Sequence, residues 1–249
     1  MKLSQHIKAE FQDYLLLLRN IPSLVVALFV LSVVCMNLLA NKELYTCEFF
    51  ALDCGFTLSW FSFLCMDMIC KRFGAKAAMK VSLTALVINL IFFALFNIVS
   101  YTPGMWGEYY SYVDAQPDVA LTVNDALNQT IGGSWYVVFG SALAMFVSSL
   151  TNSAIYHIIA GNTRLAGFRK FALCSYVSTL IAQFVDNLVF AVVVSCYFFG
   201  WTIKQTLVCA IICAFIELFC EMIFSPIGYK MCQIWEKEGV GEEYLEKFA

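Results

Sequence analysis

The chain has 249 residues, of which 61 % are hydrophobic and 13 % are charged, and its mean hydropathy is +0.77. A soluble domain of this length has too little interior to hide so much apolar surface, so lipid must solvate much of the chain. The formal net charge of −3 argues against a nucleic-acid partner, because nucleic-acid binders usually present a basic face.

The first twenty residues mix apolar and charged positions at helical spacing, so 1–20 is predicted to be a cytoplasmic helix in the membrane interface. Apolar runs long enough to cross about 30 Å of hydrocarbon follow. These runs are 21–40, 48–70, 77–99, 134–160, 171–199 and 203–232. We therefore predict an all-α integral membrane protein, with a single six-transmembrane-helix bundle over 21–232 and a cytoplasmic tail over 233–249.

The second run is broken near Asp53, which suggests a re-entrant piece at its outer end. A polar loop, 100–133, separates the third and fourth runs, and its stretch 117–131 is typical of a short surface helix.

The lysines and arginines indicate the orientation. If the N-terminus is inside, thirteen of them are cytoplasmic, and only Lys42 and Lys204 lie outside. Cytoplasmic loops carry the excess of basic residues in membrane proteins. We therefore expect both termini in the cytoplasm (N-in/C-in), the loop 100–133 outside, and a multi-pass location in the cell (inner or plasma) membrane. Whether the chain forms a homodimer is left open.

The eleven cysteines fall mostly within apolar runs, where a thiol acts as a small hydrophobic group. Cys47 and Cys54 lie near the expected outer surface, and a disulfide between them is left open because sequence does not show its geometry. No nucleophile motif, metal-ligand cluster or phosphate-binding loop is present. We therefore expect no catalytic residue, no metal site and no cofactor.

A few polar side chains lie within the apolar runs, where each costs on the order of 2.5 to 3.5 kcal/mol and so calls for a partner or a function. Gln183, Asp186, Asn187 and Phe190 share one face of the fifth helix. Asp186 lies near the middle of its span, which favours a functional role over a structural one.

Glu217 and Glu221 are i, i+4 neighbours on the sixth helix. Two carboxylates at this spacing repel each other in a low dielectric unless a proton or a cation intervenes. Asp67 either forms an ion pair at the inner rim with Lys71 and Arg72 or has a function. The remaining candidates for a substrate site are Asn37, Phe61 and Asn152.

Three stretches together resemble the queuosine precursor transporter family, also called the vitamin-uptake-like transporters. The first runs from Met36 to Lys42, and the second from Phe56 through Phe61 and Asp67 to Gly74 and Ala77. The third comprises Ser175, Ser178, Thr179, Gln183, Asp186 and Phe190. Pro226 and Tyr229 fit as well. The family often has a lysine where this chain has Glu217, and an aspartate where it has Asn152.

The resemblance implies import of a 7-deazaguanine, such as 7-aminomethyl-7-deazaguanine, 7-cyano-7-deazaguanine or queuine, for tRNA queuosine salvage. Asp186 would accept the N1–H and the exocyclic amine, and the Gln183 amide would satisfy O6. Phe190 or Phe61 would stack on the ring. The alternatives are a substrate-binding membrane subunit that needs a separate ATPase module, an importer of another small heterocycle or vitamin, and an intramembrane enzyme.

Overall fold

The computed structural model describes residues 2–106, 117–133, 135–198 and 200–248. Its helices are α1 Lys2–Asn20, α2 Ser23–Leu39, α3 Phe56–Phe73, α4 Ala75–Ser100, α5 Pro117–Ile131, α6 Trp135–Asn162, α7 Gly167–Phe190, α8 Cys196–Phe198, α9 Ile203–Lys237 and α10 Glu242–Phe248. A π-helical turn, Ala191–Ser195, joins α7 to α8, and the strands β1 Glu43–Thr46 and β2 Ala51–Asp53 form an antiparallel hairpin.

Within the described residues, four helical runs are long and apolar enough to cross a membrane. They are Ala75–Ser100, a run that contains α6, Gly167–Ser195 and Ile203–Lys237. The bent pair Ile7–Asn20 and Ser23–Leu39, with 102° between its parts, adds a fifth if it counts as one span. The chain is therefore a multi-pass helical membrane protein, while the six-helix count stays a prediction. Helix α3 falls short of these runs because it contains Asp67, Lys71 and Arg72 within 18 residues.

Two predicted boundaries are wrong. Residues 48–55 do not begin a transmembrane helix, because β2 and its flanking turns occupy this stretch and α3 starts only at Phe56. Aspartate and glycine at 53 and 55 favour a turn over a helix. The last transmembrane run does not end at 232 either, since α9 continues to Lys237. Tyr244 of α10, within the predicted cytoplasmic tail, is buried against Phe73, and the cytoplasmic location of this stretch stays a prediction.

Helices α1 and α10 lie side by side at one end of the bundle. The side-chain amide of Asn20 donates to Glu243 over 3.3 Å, and Lys247 forms an ion pair with Asp13. At the same end, Arg72 donates to the carbonyl of Val240 over 3.0 Å. Helices α1 and α10 therefore lie on the same side of the bundle, and the N-in/C-in orientation stays a prediction.

The centre of the bundle is formed by α6, α7 and α9, with α3 and α4 packed on them. Gly140 permits a close approach between α6 and the π turn, because a Cβ there would lie 2.1 Å from Cγ2 of Val194. Pro226 has no N–H to donate within α9, and the Ser225 hydroxyl instead donates to the carbonyl of Met222 over 3.2 Å. Gly74, at φ 88°, allows the abrupt turn from α3 into α4.

Candidate functional site

A polar cleft of about 370 Å³, partly open to solvent, lies where the β hairpin meets the helical bundle. The end of α2, the start of α3, the start of α6, the end of α7 and the middle of α9 all contribute to it. Its lining residues are Met36, Asn37, Ala40, Asp53, Gly55, Phe56, Ser59, Ser141, Asp186, Asn187, Phe190 and Glu217. The structure thus brings Asn37, Asp186, Phe190 and Glu217, which the sequence pattern selected, into one cleft.

The hairpin contributes the carboxyl group of Asp53 to this cleft. The backbone N–H of Gly55 donates to Asp53 Oδ1 over 2.7 Å, and a Cβ at Gly55 would lie 2.9 Å from that oxygen and 3.0 Å from the carbonyl of Met36. Burial raises the pKa of Asp53 to about 7; the Gly55 hydrogen bond opposes this rise, and the carboxylates of Glu43 and Asp186 add to it. The hairpin therefore supplies a carboxyl group whose pKa is raised well above its ordinary value.

The carboxylate of Glu217 lies in the helical wall of the cleft and is only 1 % exposed. It accepts hydrogen bonds from the hydroxyl of Ser59 on α3 and from the amide of Asn187 on α7, the latter over 3.1 Å. Asp186, which is half-buried, accepts from the Ser148 hydroxyl over 2.6 Å. Two carboxylates and an amide thus face one cleft, beside the aromatic ring of Phe190.

A second polar network lies deeper in the bundle and is formed around Asp67, which is fully buried. Asp67 accepts from the amide of Asn152 over 2.7 Å, from the hydroxyl of Ser175 over 2.6 Å and from the hydroxyl of Thr179 over 3.3 Å. Ser175 also contacts the buried carboxyl of Glu221. Of the two alternatives left open for Asp67, the ion pair with Lys71 and Arg72 is therefore not formed, since Lys71 pairs with Glu236 and Arg72 donates to the carbonyl of Val240.

Glu217 and Glu221 do not share a partner, although they are one turn apart on α9. Glu217 is held by Ser59 and Asn187 at the cleft, whereas Glu221 contacts Ser175 in the deeper network. The geometry therefore does not show a proton or cation held jointly between these two carboxyl groups.

The structure does not bring Gln183 or Phe61 to the lining of the cleft. Gln183 is fully buried, and neither polar atom of its side chain has a hydrogen-bond partner among the described residues. Phe61 packs in the apolar core, with its ring 5.6 Å from that of Trp60. Cys47 and Cys54 are both free thiols. No group of three or more His, Cys, Asp or Glu residues that could hold a metal occurs in the described parts of the chain.

A second opening of about 940 Å³ lies at the opposite end of the same helices. The cleft is formed by the start of α3 and α6 and the end of α7, whereas this opening is formed by the end of α3 and α6 and the start of α7. We call it the basic vestibule, and its polar or ionisable lining residues are Cys70, Lys71, Tyr156, His157, Lys170, Cys174, Tyr229 and Glu236. The network around Asp67 separates the cleft from the basic vestibule.

The sequence alone did not identify several side chains of the cleft and the network as site residues. In the sequence Asp53 indicates only a break in a helix, and Ser59, Ser141 and Ser148 look like ordinary small polar residues of transmembrane helices. Asn187 was visible on the polar face of its helix beside Asp186. The serines carry no local signal, because their roles depend on which neighbouring helix they meet.

The fold and the cleft together define a class, a multi-pass helical membrane protein with a polar site enclosed by its helices. A family model described as "Putative vitamin uptake transporter" matches residues 53–231. The chain belongs to this family of transporters. No curated protein sequence and no solved structure matches the chain significantly.

Proposed function

We propose that the protein imports a 7-deazaguanine queuosine precursor across the cell membrane for tRNA queuosine salvage. The observation that carries the proposal is the cleft itself, in which the carboxylates of Asp186 and Glu217 and the amide of Asn187 lie beside Phe190. Sites for small molecules commonly combine apolar walls with a few convergent polar groups. The membership in an uptake-transporter family supports import as the activity.

The chemistry of a guanine edge fits these groups. The edge presents N1–H and an exocyclic amine, and a carboxylate accepts both in a bidentate manner. Asp186 already accepts one hydrogen bond from Ser148, and its remaining lone pairs are enough for this pair. The ring of Phe190 would stack on the heterocycle, a contact typically worth about 1 to 3 kcal/mol for nucleic-acid bases.

The Gln183 amide remains the proposed partner of O6. It lies one helical turn before Asp186 and Asn187, and Asn187 donates to the backbone carbonyl of Gln183 over 2.9 Å. A buried amide without partners is rare and calls for an explanation. A ligand that reaches slightly deeper than the cleft of the ligand-free protein would supply the missing hydrogen-bond partner of this amide.

A second candidate substrate is a vitamin or another small heterocycle, which the description of the family favours. Either substrate is compatible with a chain that works alone or with one that needs an ATPase module. Uptake by the purified protein alone in liposomes would separate these two modes.

Binding of 7-deazaguanine to purified protein in detergent tests the proposed function, with 7-deazaadenine as the matched control ligand. The two share ring size and stacking surface, but the adenine edge lacks the N1–H and the 2-amine. We expect binding of 7-aminomethyl-7-deazaguanine, 7-cyano-7-deazaguanine or queuine and none of 7-deazaadenine. Equal binding of both ring types, or binding only of vitamins, would contradict the proposed substrate.

A further inference from the structure

One hydroxyl group in the buried network lies between two carboxyl groups. Ser175 Oγ is 2.6 Å from Asp67 Oδ2 and is also in contact with Glu221 Oε1. All three residues are 0 % exposed. A serine hydroxyl has a single proton, so it can donate to only one of these two oxygens.

The second contact needs another proton. If both carboxyl groups were ionised, one of the two oxygen–oxygen contacts would have no hydrogen between its atoms. No lysine, arginine or histidine relieves this charge, because the ion pairs found in the described residues, Lys71–Glu236, Lys80–Glu10 and Lys247–Asp13, all lie elsewhere. Two bare charges in a buried site without a cation are far too costly, and one group takes up a proton instead.

The hydrogen-bond partners indicate where that proton resides. Asp67 accepts from Asn152, Thr179 and Ser175, which are the donors that an ionised carboxylate needs. Glu221 is in contact with Ser175 through Oε1, and its Oε2 has no hydrogen-bond partner in the described part of the chain. Glu221 is therefore the protonated group, and its O–H donates to Ser175, which donates in turn to Asp67.

This proton lies between the two openings of the protein. Glu217, one turn before Glu221 on α9, lines the cleft. Cys70, one turn after Asp67 on α3, and Cys174, next to Ser175 on α7, line the basic vestibule. A small displacement of α7 or α9 would therefore expose the Asp67–Ser175–Glu221 group to one opening or to the other.

The ionisable groups that face this network come from each of the helices packed around it. The immediate neighbours are Cys70 of α3, Tyr156 of α6, Cys174 of α7 and Cys232 of α9. The basic vestibule adds Lys71, His157, Lys170 and Glu236. The cleft adds Asp53, Asp186 and Glu217. The thiols and the phenol are neutral near pH 7. These neutral groups offer no positive charge to the two carboxyl groups, so the proton on Glu221 is what removes one of the two negative charges.

We infer that Asp67, Ser175 and Glu221 form a proton-binding site that couples ligand uptake to proton entry. The inference rests on the proposed import function. Glu221 takes up one proton from outside by way of the cleft, which gives the protonated, ligand-free form described above, and the ligand then binds. When the ligand is released to the inside, the same proton passes from Glu221 to water in the basic vestibule. That water solvates the restored carboxylate until the next proton binds, so charge and protons balance over the cycle.

Proteoliposomes that contain the purified protein test this inference directly. Labelled 7-aminomethyl-7-deazaguanine or 7-deazaguanine is added outside, the membrane potential is clamped at zero with potassium and valinomycin, and the inside is made one pH unit more alkaline. Because the membrane potential is zero, the charge of the ligand does not matter, and one proton per ligand predicts accumulation of about tenfold for one pH unit. Equal concentrations on both sides under this gradient, or accumulation driven by a sodium gradient instead, would overturn the proton site.

Exchange of labelled for unlabelled ligand across the same membranes, which needs no gradient, separates the two proposals. No exchange of any 7-deazaguanine means that the proposed function fails. Exchange without a response to the pH gradient means that only the proton inference fails. We expect Glu221→Gln to keep exchange and to lose accumulation, whereas Glu246→Gln, at an exposed position of α10, keeps both. If Glu221→Gln does not fold, Ser175→Ala and the unaltered protein provide the same comparison.

Discussion

The side-chain amide of Asn187 donates a hydrogen bond of 3.1 Å to the carboxylate of Glu217 and so joins α7 to α9 at the wall of the cleft. Asn187 follows Asp186, the residue expected to bind the ligand, directly in the chain. The position of the Glu217 charge and the orientation of this part of α7 are therefore linked. A ligand that draws the Asn187 amide away would leave Oε2 of Glu217 available to a positive group, while Ser59 still donates to Oε1.

The first prediction concerns Asp186. Asp186→Asn removes the charge but keeps an oxygen that can accept from Ser148. Loss of a carboxylate that holds two N–H groups in a dehydrated site should lower ligand affinity by about 2 to 4 kcal/mol, tens- to several-hundred-fold. Calorimetry or ligand-binding assays on purified protein measure this loss of affinity. Asp125→Asn, at an exposed position of α5, is the matched control, and an unchanged affinity of Asp186→Asn would place the site elsewhere.

The second prediction concerns the choice among precursors. Glu217 occupies a position at which the queuosine precursor transporter family often has lysine. A carboxylate at this position should favour a ligand with a protonated amine. We expect 7-aminomethyl-7-deazaguanine or queuine to bind more tightly than the 7-cyano compound by about 1 to 3 kcal/mol. Glu217→Gln should abolish this preference in competition binding. If the nitrile binds best to the parent, or if the substitution leaves the ranking unchanged, the electrostatic argument is wrong.

The third prediction concerns the unpaired amide of Gln183. In the ligand-free protein a buried amide without partners costs about 1 to 3 kcal/mol, so Gln183→Met should raise the unfolding midpoint. If the amide binds O6 of the ligand, the same substitution should lower affinity about tenfold or more. Thermal unfolding and binding measured on one preparation show both effects. A more stable variant with unchanged affinity would show that Gln183 does not contact the ligand.

The fourth prediction concerns the close approach of α6 to the π turn. A Cβ at Gly140 would lie 2.1 Å from Val194 Cγ2, so Gly140→Ala should destabilise the protein by about 1 to 3 kcal/mol. Gly161 lies in the same helix with nothing within 4 Å of an added Cβ. Gly161→Ala should therefore be neutral or slightly stabilising. Equal stabilities of the two variants in detergent would refute the close contact.

The fifth prediction concerns topology. A membrane-impermeant maleimide should label Asp125→Cys in intact cells, because the loop 100–133 is expected outside. Glu238→Cys, beyond the end of α9, should react only after permeabilisation. The parent chain, which has eleven cysteines, gives the background signal for both. The reverse pattern of labelling would overturn the predicted orientation.

The sequence by itself determined the elements that depend on local periodicity and on transfer into lipid. The segment 117–131 has the predicted bounds, and the last apolar run begins at residue 203 as expected. The sequence also selected Asn37, Asp186 and Glu217, which share the cleft, because a polar side chain in an apolar run is conspicuous without any knowledge of the fold. Phe190 was selected by its helical spacing from Asp186.

Only the tertiary structure decided which polar groups meet. Glu217 and Glu221 are neighbours on one helix, yet they belong to different networks because Ser59 approaches one and Ser175 approaches the other. The burial of Gln183, the hairpin that supplies Asp53 and the partners of Asp67 likewise depend on how separate helices are rotated and packed. That packing is set by contacts between residues far apart in the chain, such as Gly140 with Val194, and no local pattern in the sequence encodes it.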